Sequence, residues 1–143
     1  MPMINFDAQN DFVLDQAQKW ALWLGEVVAA EGFTLGSVDY VFCDDAYLLE
    51  LNQEFLSHDT LTDIITFDYN VGRTVHGEIY ISTERVTENS REYGVSMAEE
   101  LGRVMLHGIL HLCGYKDKSE SEKQTMRSRE NYWLNKTKSL LIN

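Results

Sequence analysis

The sequence predicts a single domain that combines helices and strands, and three observations support this prediction. The chain has 143 residues, which suits one domain with one sizeable core. Hydrophobic residues make up 44% of it and charged residues 24%, as in ordinary globular proteins. Segments with the helical period of about 3.6 residues alternate with short segments of strand character. We therefore expect one domain over residues 1–143.

Four short segments are predicted to be strands, because they alternate apolar with polar residues or are rich in β-branched and aromatic ones. They are Met3–Phe6, Ser37–Cys43, Ile64–Tyr69 and Glu78–Ser82. The last two are separated by a turn over residues 71–76, so a hairpin is their simplest connection.

Five segments are predicted to be helices from their periodicity and their end signals. Ser82 is an N-cap candidate, and Ser96 and Ser119 each stand three residues before a glutamate, the pattern of a capping box. Gly94 is placed to end the third helix. The helices are expected over residues 11–30, 44–55, 82–93, 96–113 and 119–138. The fifth has few apolar residues, so we expect it to pack on the outside.

The fourth helix carries the residues with the clearest chemical meaning. His107 and His111 are four residues apart, so both imidazoles lie on one helix face, and no other polar side chain occurs over residues 104–113. Gly114 can adopt the left-handed conformation that ends a helix and turns the chain back. Asp117 would then be a third ligand for one divalent ion. Three protein ligands leave a coordination position open, as in catalytic zinc sites.

Two other interpretations of this motif have to be considered. A histidine in a buried helix is more often a hydrogen-bonded core residue than a metal ligand. The spacing also resembles that of the metzincin proteases, in which a glutamate after the first histidine is the general base. Gly108 occupies that position here, so we expect no peptidase activity. Zinc is the first choice of ion, with nickel, cobalt or manganese as alternatives.

The charge and composition limit the possible partners and compartments. The net charge of −11 argues against a generally basic nucleic-acid binder. Residues 1–115 hold five Lys and Arg and nineteen Asp and Glu (net −14), whereas residues 116–143 hold seven and four (net +3). The basic tail is either a solvated helix or a local surface for an anionic partner. We expect a cytoplasmic protein, because the chain lacks a signal peptide, a membrane-spanning run and a cysteine framework.

Residues 106–115 (Leu-His-Gly-Ile-Leu-His-Leu-Cys-Gly-Tyr) are the first of three blocks that resemble a known family. They are similar to the signature His-Gly-x-Leu-His-Leu-x-Gly-Tyr-Asp-His of the YbeY family. Residues 51–52 (Leu-Asn) and 59–67 (Asp-x-x-Thr-Asp-Ile-Ile-Thr-Phe) match a second family segment, and residues 77–79 (Gly-Glu-Ile) match a third. The order and spacing of the blocks agree over nearly the whole chain.

The resemblance implies an α+β fold, in which a small mixed sheet is flanked by about five helices and the metal site lies at the end of a buried helix. It also implies a metal-dependent endoribonuclease specific for single strands. Such an enzyme would mature the 3′ end of 16S rRNA and take part in small-subunit quality control, with rRNA and the small ribosomal subunit or its proteins as partners. The alternatives are a non-catalytic assembly factor with a structural metal, and a metallohydrolase of another substrate.

The chain departs from the family pattern at two positions. The family's third histidine ligand falls on Asp117, which keeps three ligands but makes the site more anionic. The family usually carries an arginine implicated in function where this chain has Leu56, and His58 is a weak candidate to replace it in phosphate contact. Asp59, Thr62 and Asp63 are expected to form a turn and cap cluster, with catalysis as the less favoured role for either aspartate.

Overall fold

The described part of this computed structural model consists of one mixed sheet of four strands and five flanking helices. The backbone is described over residues 3–56 and 62–141, and the side chains over residues 3–55 and 62–136. In chain order the elements are β1 (Met3–Ala8), α1 (Ala17–Ala30), β2 (Thr34–Cys43), α2 (Asp45–Leu56), β3 (Ile64–Asp68), β4 (Thr74–Ser82), α3 (Thr83–Tyr93), α4 (Met97–Leu112) and α5 (Glu120–Leu141). The predicted α+β fold class is confirmed.

The sheet has the strand order β1-β2-β4-β3. β1 and β2 are parallel, β2 and β4 are parallel, and β3 pairs with β4 in the antiparallel direction. The β3–β4 pairing, with Ile64 opposite Ile81, confirms the predicted hairpin. Alternate residues of the central strands β2 and β4 point into the core, which they share with α1 and α4.

Helix α4 lies directly against the sheet, and Gly108 is the point of close approach. A Cβ atom at Gly108 would come within 2.9 Å of Cδ1 and 3.0 Å of Cγ2 of Ile79, and within 3.2 Å of Cδ1 of Ile64. Ile79 is β-branched, so turning one of its branches away leaves the other in contact. Position 108 therefore has no room for the glutamate that a protease of similar spacing carries.

The first predicted helix begins six residues later than expected, at Ala17 rather than Asp11. Gln16 has a φ angle of 57°, in the left-handed region, which interrupts helical geometry immediately before Ala17. The side chain of Asn10 accepts a hydrogen bond from the backbone N–H of Phe12. Phe12 thus contributes to the core from a loop, and its ring centroid lies 4.8 Å from that of Phe42.

The predicted helix caps are confirmed. Ser82 Oγ accepts from the N–H of Arg85, and Ser96 Oγ accepts from the N–H of Glu99. Ser119 and Glu122 form the full capping box, because each side chain accepts from the backbone N–H of the other. Gly94 ends α3 with a φ angle of 67°.

Helix α5 is more deeply buried than its few apolar residues predicted. Met126 is 2% and Leu134 is 6% exposed, and both belong to the main core. Glu130 lies midway between them at i+4 spacing and is 5% exposed. The inner face of α5 therefore brings a carboxylate into the interior, next to α4.

Candidate functional site

A cavity of about 690 Å³ opens between β3, α4, α5 and the loop that follows α4. His107, His111 and Asp117, the three predicted ligands, all line it. The helical spacing places both histidines on one side of α4, as expected. Asp63 and Glu130 line the same cavity, so it contains several titratable groups within one partly closed space.

His107 contacts a carboxylate with each of its ring nitrogens. Nδ1 lies 2.8 Å from Oε2 of Glu130, and Nε2 lies 3.1 Å from Oδ2 of Asp117. The other oxygen of Glu130, Oε1, accepts from Nη1 of Arg103 at 2.9 Å. Burial alone would lower the pKa of His107. The hydrogen bond and charge of Glu130, together with the charges of Asp117 and Asp63, outweigh that effect and raise it.

His111 is oriented by the turn that follows its own helix. Its Nδ1 lies 3.1 Å from the backbone carbonyl oxygen of Tyr115. Gly114, with a φ angle of 100°, makes the left-handed turn that brings this carbonyl back over the helix end. A carbonyl oxygen can only accept, so Nδ1 of His111 carries a hydrogen, and in the neutral ring the lone pair is then on Nε2.

These contacts allow a test of whether the residues fit a divalent ion. A histidine that binds a metal usually donates its other ring N–H to a carboxylate or a carbonyl, as Nδ1 does in His107 and His111. Two ligand atoms at about 2.1 Å from a tetrahedral ion lie about 3.4 Å apart, close to the 3.1 Å between Nε2 of His107 and Oδ2 of Asp117. The chemistry and spacing of this pair fit the ion.

His111, the remaining predicted ligand, is less closely placed. Among residues 3–55 and 62–136, no group of three or more His, Cys, Asp or Glu side chains is arranged to hold a metal ion. The structure therefore brings His107 and Asp117 together and places His111 in the same cavity, but does not close the three into one cluster. In this arrangement the Asp117 carboxylate pairs directly with His107.

Two further carboxyl groups of the cavity have raised pKa values. Burial raises the pKa of Asp63, against the charge of His107, which lowers it. Burial, followed by the negative charge of Asp63, raises the pKa of Glu100 to about 7, against the charges of Arg103 and Arg127. The cavity thus holds carboxyl groups that are protonated at higher pH than exposed ones.

We expect the Glu100→Gln substitution to remove a pH dependence of stability. Between the unfolded pKa of about 4.5 and the folded pKa of about 7, the folded state binds a proton that the unfolded state does not. The stability that neutral Glu100 contributes is therefore full below pH 4.5 and lost as the pH rises through 7. The glutamine variant, neutral throughout, should exceed wild type by about 1–3 kcal/mol at pH 8 and match it near pH 4.

Urea unfolding of metal-free protein from pH 4 to pH 9 measures this difference. Glu99→Gln is the matched control, because Glu99 is the neighbouring carboxylate on the same helix but is not buried. Parallel stability curves for wild type and Glu100→Gln over the whole range would contradict the prediction.

Sequence reasoning missed Glu130, which binds His107. A signal was present, since Glu130 stands at i+4 from Met126 and i−4 from Leu134, in the middle of what proves to be the buried face of α5. Arg103, which donates a hydrogen bond to the other carboxylate oxygen of Glu130, was missed as well.

The segment before β3 is described only in part. Thr62 Oγ1 donates to the carbonyl of Ile64 at 3.2 Å. The backbone carbonyl of Asp63 accepts from the N–H of Ser82, next to the β3–β4 pairing. The side chain of Asp63 also lines the cavity. His58 and Asp59 lie outside the described residues, as does the side chain of Leu56.

Comparison with known proteins identifies the family. The chain matches the family described as "Endoribonuclease YbeY" over residues 4–138. The chain belongs to this family. Proteins named Endoribonuclease YbeY from Flavobacterium psychrophilum and Flavobacterium johnsoniae are 51% and 52% identical to it over 128 residues. These alignments cover 90% of this chain and 91% and 92% of the two relatives.

More distant relatives agree with this assignment. The Endoribonuclease YbeY of Bacteroides thetaiotaomicron is 44% identical over 109 residues, covering 76% of this chain and 80% of the relative. A Thermotoga maritima protein of known solution structure is 28% identical, with a TM-score of 0.69 over 96% of this chain and 90% of that one. The predicted YbeY membership and the nuclease class of hydrolase are confirmed. No helix in the described part of the chain has the length and hydropathy to span a membrane.

Proposed function

We propose that this chain is a metal-dependent endoribonuclease that cuts single-stranded RNA, with the 3′ region of 16S rRNA in the small ribosomal subunit as its substrate. One observation carries the proposal. Both histidines of α4 have their Nδ1 atoms bonded to oxygen acceptors, Glu130 in one case and the Tyr115 carbonyl in the other. This leaves their Nε2 atoms as the candidate ligand atoms, and that of His107 already lies 3.1 Å from Oδ2 of Asp117, the third candidate ligand.

In this proposal His107, His111 and Asp117 hold one divalent ion, with zinc preferred because it accepts nitrogen and carboxylate ligands in a three-residue catalytic site. When bound, such an ion supplies Lewis-acid chemistry: it polarises a phosphoryl oxygen and acidifies water near neutral pH. An ion held there would take both Oδ2 of Asp117 and Nε2 of His107 as ligands, two atoms that lie 3.1 Å apart. Nickel, cobalt or manganese are the alternatives that this mixed set of ligands can accept.

The cationic residues of the cavity have a role in holding RNA. Arg127 and Lys118 line the cavity and carry positive charges that can contact phosphate groups. They are local exceptions on a chain with a net charge of −11. A ribosomal surface that presents the RNA strand would offset the repulsion by the acidic body, which is why a small-subunit partner is part of the proposal. The free and buried thiols of Cys43 and Cys113 suit the reducing cytoplasm.

The test combines metal analysis, RNA cleavage and mapping of rRNA ends. Purified protein should carry about one equivalent of divalent metal. It should cut a single-stranded 16S 3′ fragment, lose this activity with a chelator, and regain it with zinc. Cells in which the only copy is His111→Ala should accumulate 16S precursors with unprocessed 3′ ends. Normal 16S ends in those cells would exclude metal-dependent processing. Full complementation by a protein that binds no metal would favour the assembly-factor alternative.

A further inference from the structure

The carboxylate of Glu31 lies outside the cavity but joins three separate elements. Glu31 follows the last residue of α1, and its side chain is 9% exposed. Its Oε1 accepts from the hydroxyl of Tyr115 at 2.7 Å, and its Oε2 accepts from Nη2 of Arg129 at 2.7 Å and from Nε1 of Trp133 at 2.9 Å. One side chain thus connects the end of α1, the loop after α4 and the middle of α5.

The surroundings of this carboxylate favour its ionised form. Burial raises the pKa of Glu31, but the hydrogen bonds from Arg129, Trp133 and Tyr115 outweigh burial and lower it. A charged acceptor makes stronger hydrogen bonds than a neutral one, so all three donors are held more firmly than an amide would hold them.

The hydrogen bond from Tyr115 connects Glu31 with His111. Tyr115 is fixed at its side chain by Glu31 and at its backbone N–H by the carbonyl of Leu110. Its carbonyl oxygen is the acceptor for Nδ1 of His111, at 3.1 Å. The orientation of the Tyr115 peptide therefore determines which ring nitrogen of His111 carries the hydrogen and which faces the cavity.

The hydrogen bonds from Arg129 and Trp133 connect Glu31 with His107. Arg129 and Trp133 are on either side of Glu130 in α5, and Glu130 is the acceptor for Nδ1 of His107 at 2.8 Å. The ring of Tyr132, with its centroid 4.5 Å from the Arg129 guanidinium, adds to the packing of that arginine. Glu31 thus holds the segment of α5 from which Glu130 reaches His107.

We propose that Glu31 is a positioning residue of the metal site, because its carboxylate fixes both acceptors that orient the two histidines. The metal-binding part of this inference rests on the proposed function. A purely structural role, in which Glu31 only ties α1 to α5, would affect stability and leave the imidazoles unchanged.

The experiment compares four full-length variants with wild type. Glu31→Gln keeps the shape of the side chain and removes its charge, and Tyr115→Phe removes a single donor without altering the backbone. Glu26→Gln is the charge-matched control, since Glu26 is an exposed carboxylate on α1. Val28→Ala is the stability-matched control, because Val28 is fully buried on α1 and has no part in this hydrogen-bond network. Urea unfolding ranks their stabilities.

Two readouts separate positioning from stability. The first is the imidazole ¹⁵N spectrum of metal-free protein at pH 8, which reports the tautomer of each histidine. Wild type should show His111 with its hydrogen on Nδ1, and Glu31→Gln should show a mixture of both tautomers, with a smaller change in Tyr115→Phe. The second readout is zinc affinity by competition with a chelator. It should fall roughly 10- to 100-fold in Glu31→Gln, as for loss of other groups that orient metal ligands.

The controls decide the interpretation. Val28→Ala and Glu26→Gln should keep the wild-type tautomer and zinc affinity, even where Val28→Ala is as unstable as Glu31→Gln. The proposal is overturned if Glu31→Gln and Tyr115→Phe keep the wild-type His111 tautomer, or if Val28→Ala produces the same mixture. The spectra use metal-free protein, so they test Glu31 even if wild type binds no zinc, which would instead refute the proposed function.

Discussion

Replacing Asp117 with alanine should lower RNA cleavage by more than about 100-fold and abolish tight metal binding. Loss of a group that merely orients a metal ligand already lowers affinity or activity roughly 10- to 100-fold, and loss of the ligand itself should exceed that. The structural basis is the 3.1 Å contact between Oδ2 of Asp117 and Nε2 of His107. Both atoms are suitable ligands, and their separation is close to that of two ligands on one ion.

The Asp117→His variant tests whether a different metal ligand can replace the aspartate at this position. It restores the histidine that the family signature places here, so it should keep a three-ligand site and cut RNA within about tenfold of wild type. A neutral ligand leaves more of the ion's charge to acidify water than a carboxylate does. The acidic limb of the pH–rate profile should therefore move to lower pH in this variant.

Glu120→Ala is the matched control for these measurements, because Glu120 is a nearby carboxylate whose side chain is 89% exposed. RNA cleavage and metal content should be measured on the same protein preparations. If the Asp117→Ala variant keeps the metal content and the RNA cleavage rate of wild type, Asp117 is only the ion-pair partner of His107.

The parts of this protein that could be predicted from the sequence are those set by near neighbours in the chain. The caps at Ser96 and Ser119 depend on residues three positions apart, and the two histidines depend on helical spacing. The β3–β4 hairpin likewise joins adjacent segments. Each signal requires only local geometry, which a single sequence contains.

The groups that orient the histidines could not be found in this way, because they come from distant parts of the chain. Glu130 is 23 residues from His107, and Glu31 is 84 residues from Tyr115. Only the packing of α5 against α4, and of α1 against α5, brings these pairs together. The parallel pairing of β1 with β2 also joins segments that no local pattern connects.

The second large effect is expected at Glu130. Its side chain is 7% exposed and accepts hydrogen bonds from both His107 and Arg103. Glu130→Gln keeps the volume but removes the charge, so we expect zinc affinity to fall roughly 10- to 100-fold. The metal-free variant should also lose about 1–3 kcal/mol of stability at pH 6, since buried partners lose a charged acceptor.

The stability loss should depend on pH in a definite direction. The folded pKa of His107 is raised above its unfolded value of about 6.5, so the stabilisation from its ion pairs is complete below pH 6.5 and lost as the pH rises through the folded pKa. The difference between wild type and Glu130→Gln should accordingly be larger at pH 6 than at pH 9. Urea unfolding of metal-free protein at both pH values measures it.

Arg103→Gln is the control that separates the two bonds of Glu130. It removes the 2.9 Å ion pair with Oε1 but leaves Oε2 at 2.8 Å from Nδ1 of His107. Its stability should fall, while its zinc affinity stays within about tenfold of wild type, because the orientation of His107 is retained. If Glu130→Gln loses stability to the same extent as Arg103→Gln and binds zinc as tightly as wild type, Glu130 is a structural ion-pair partner and does not orient the histidine.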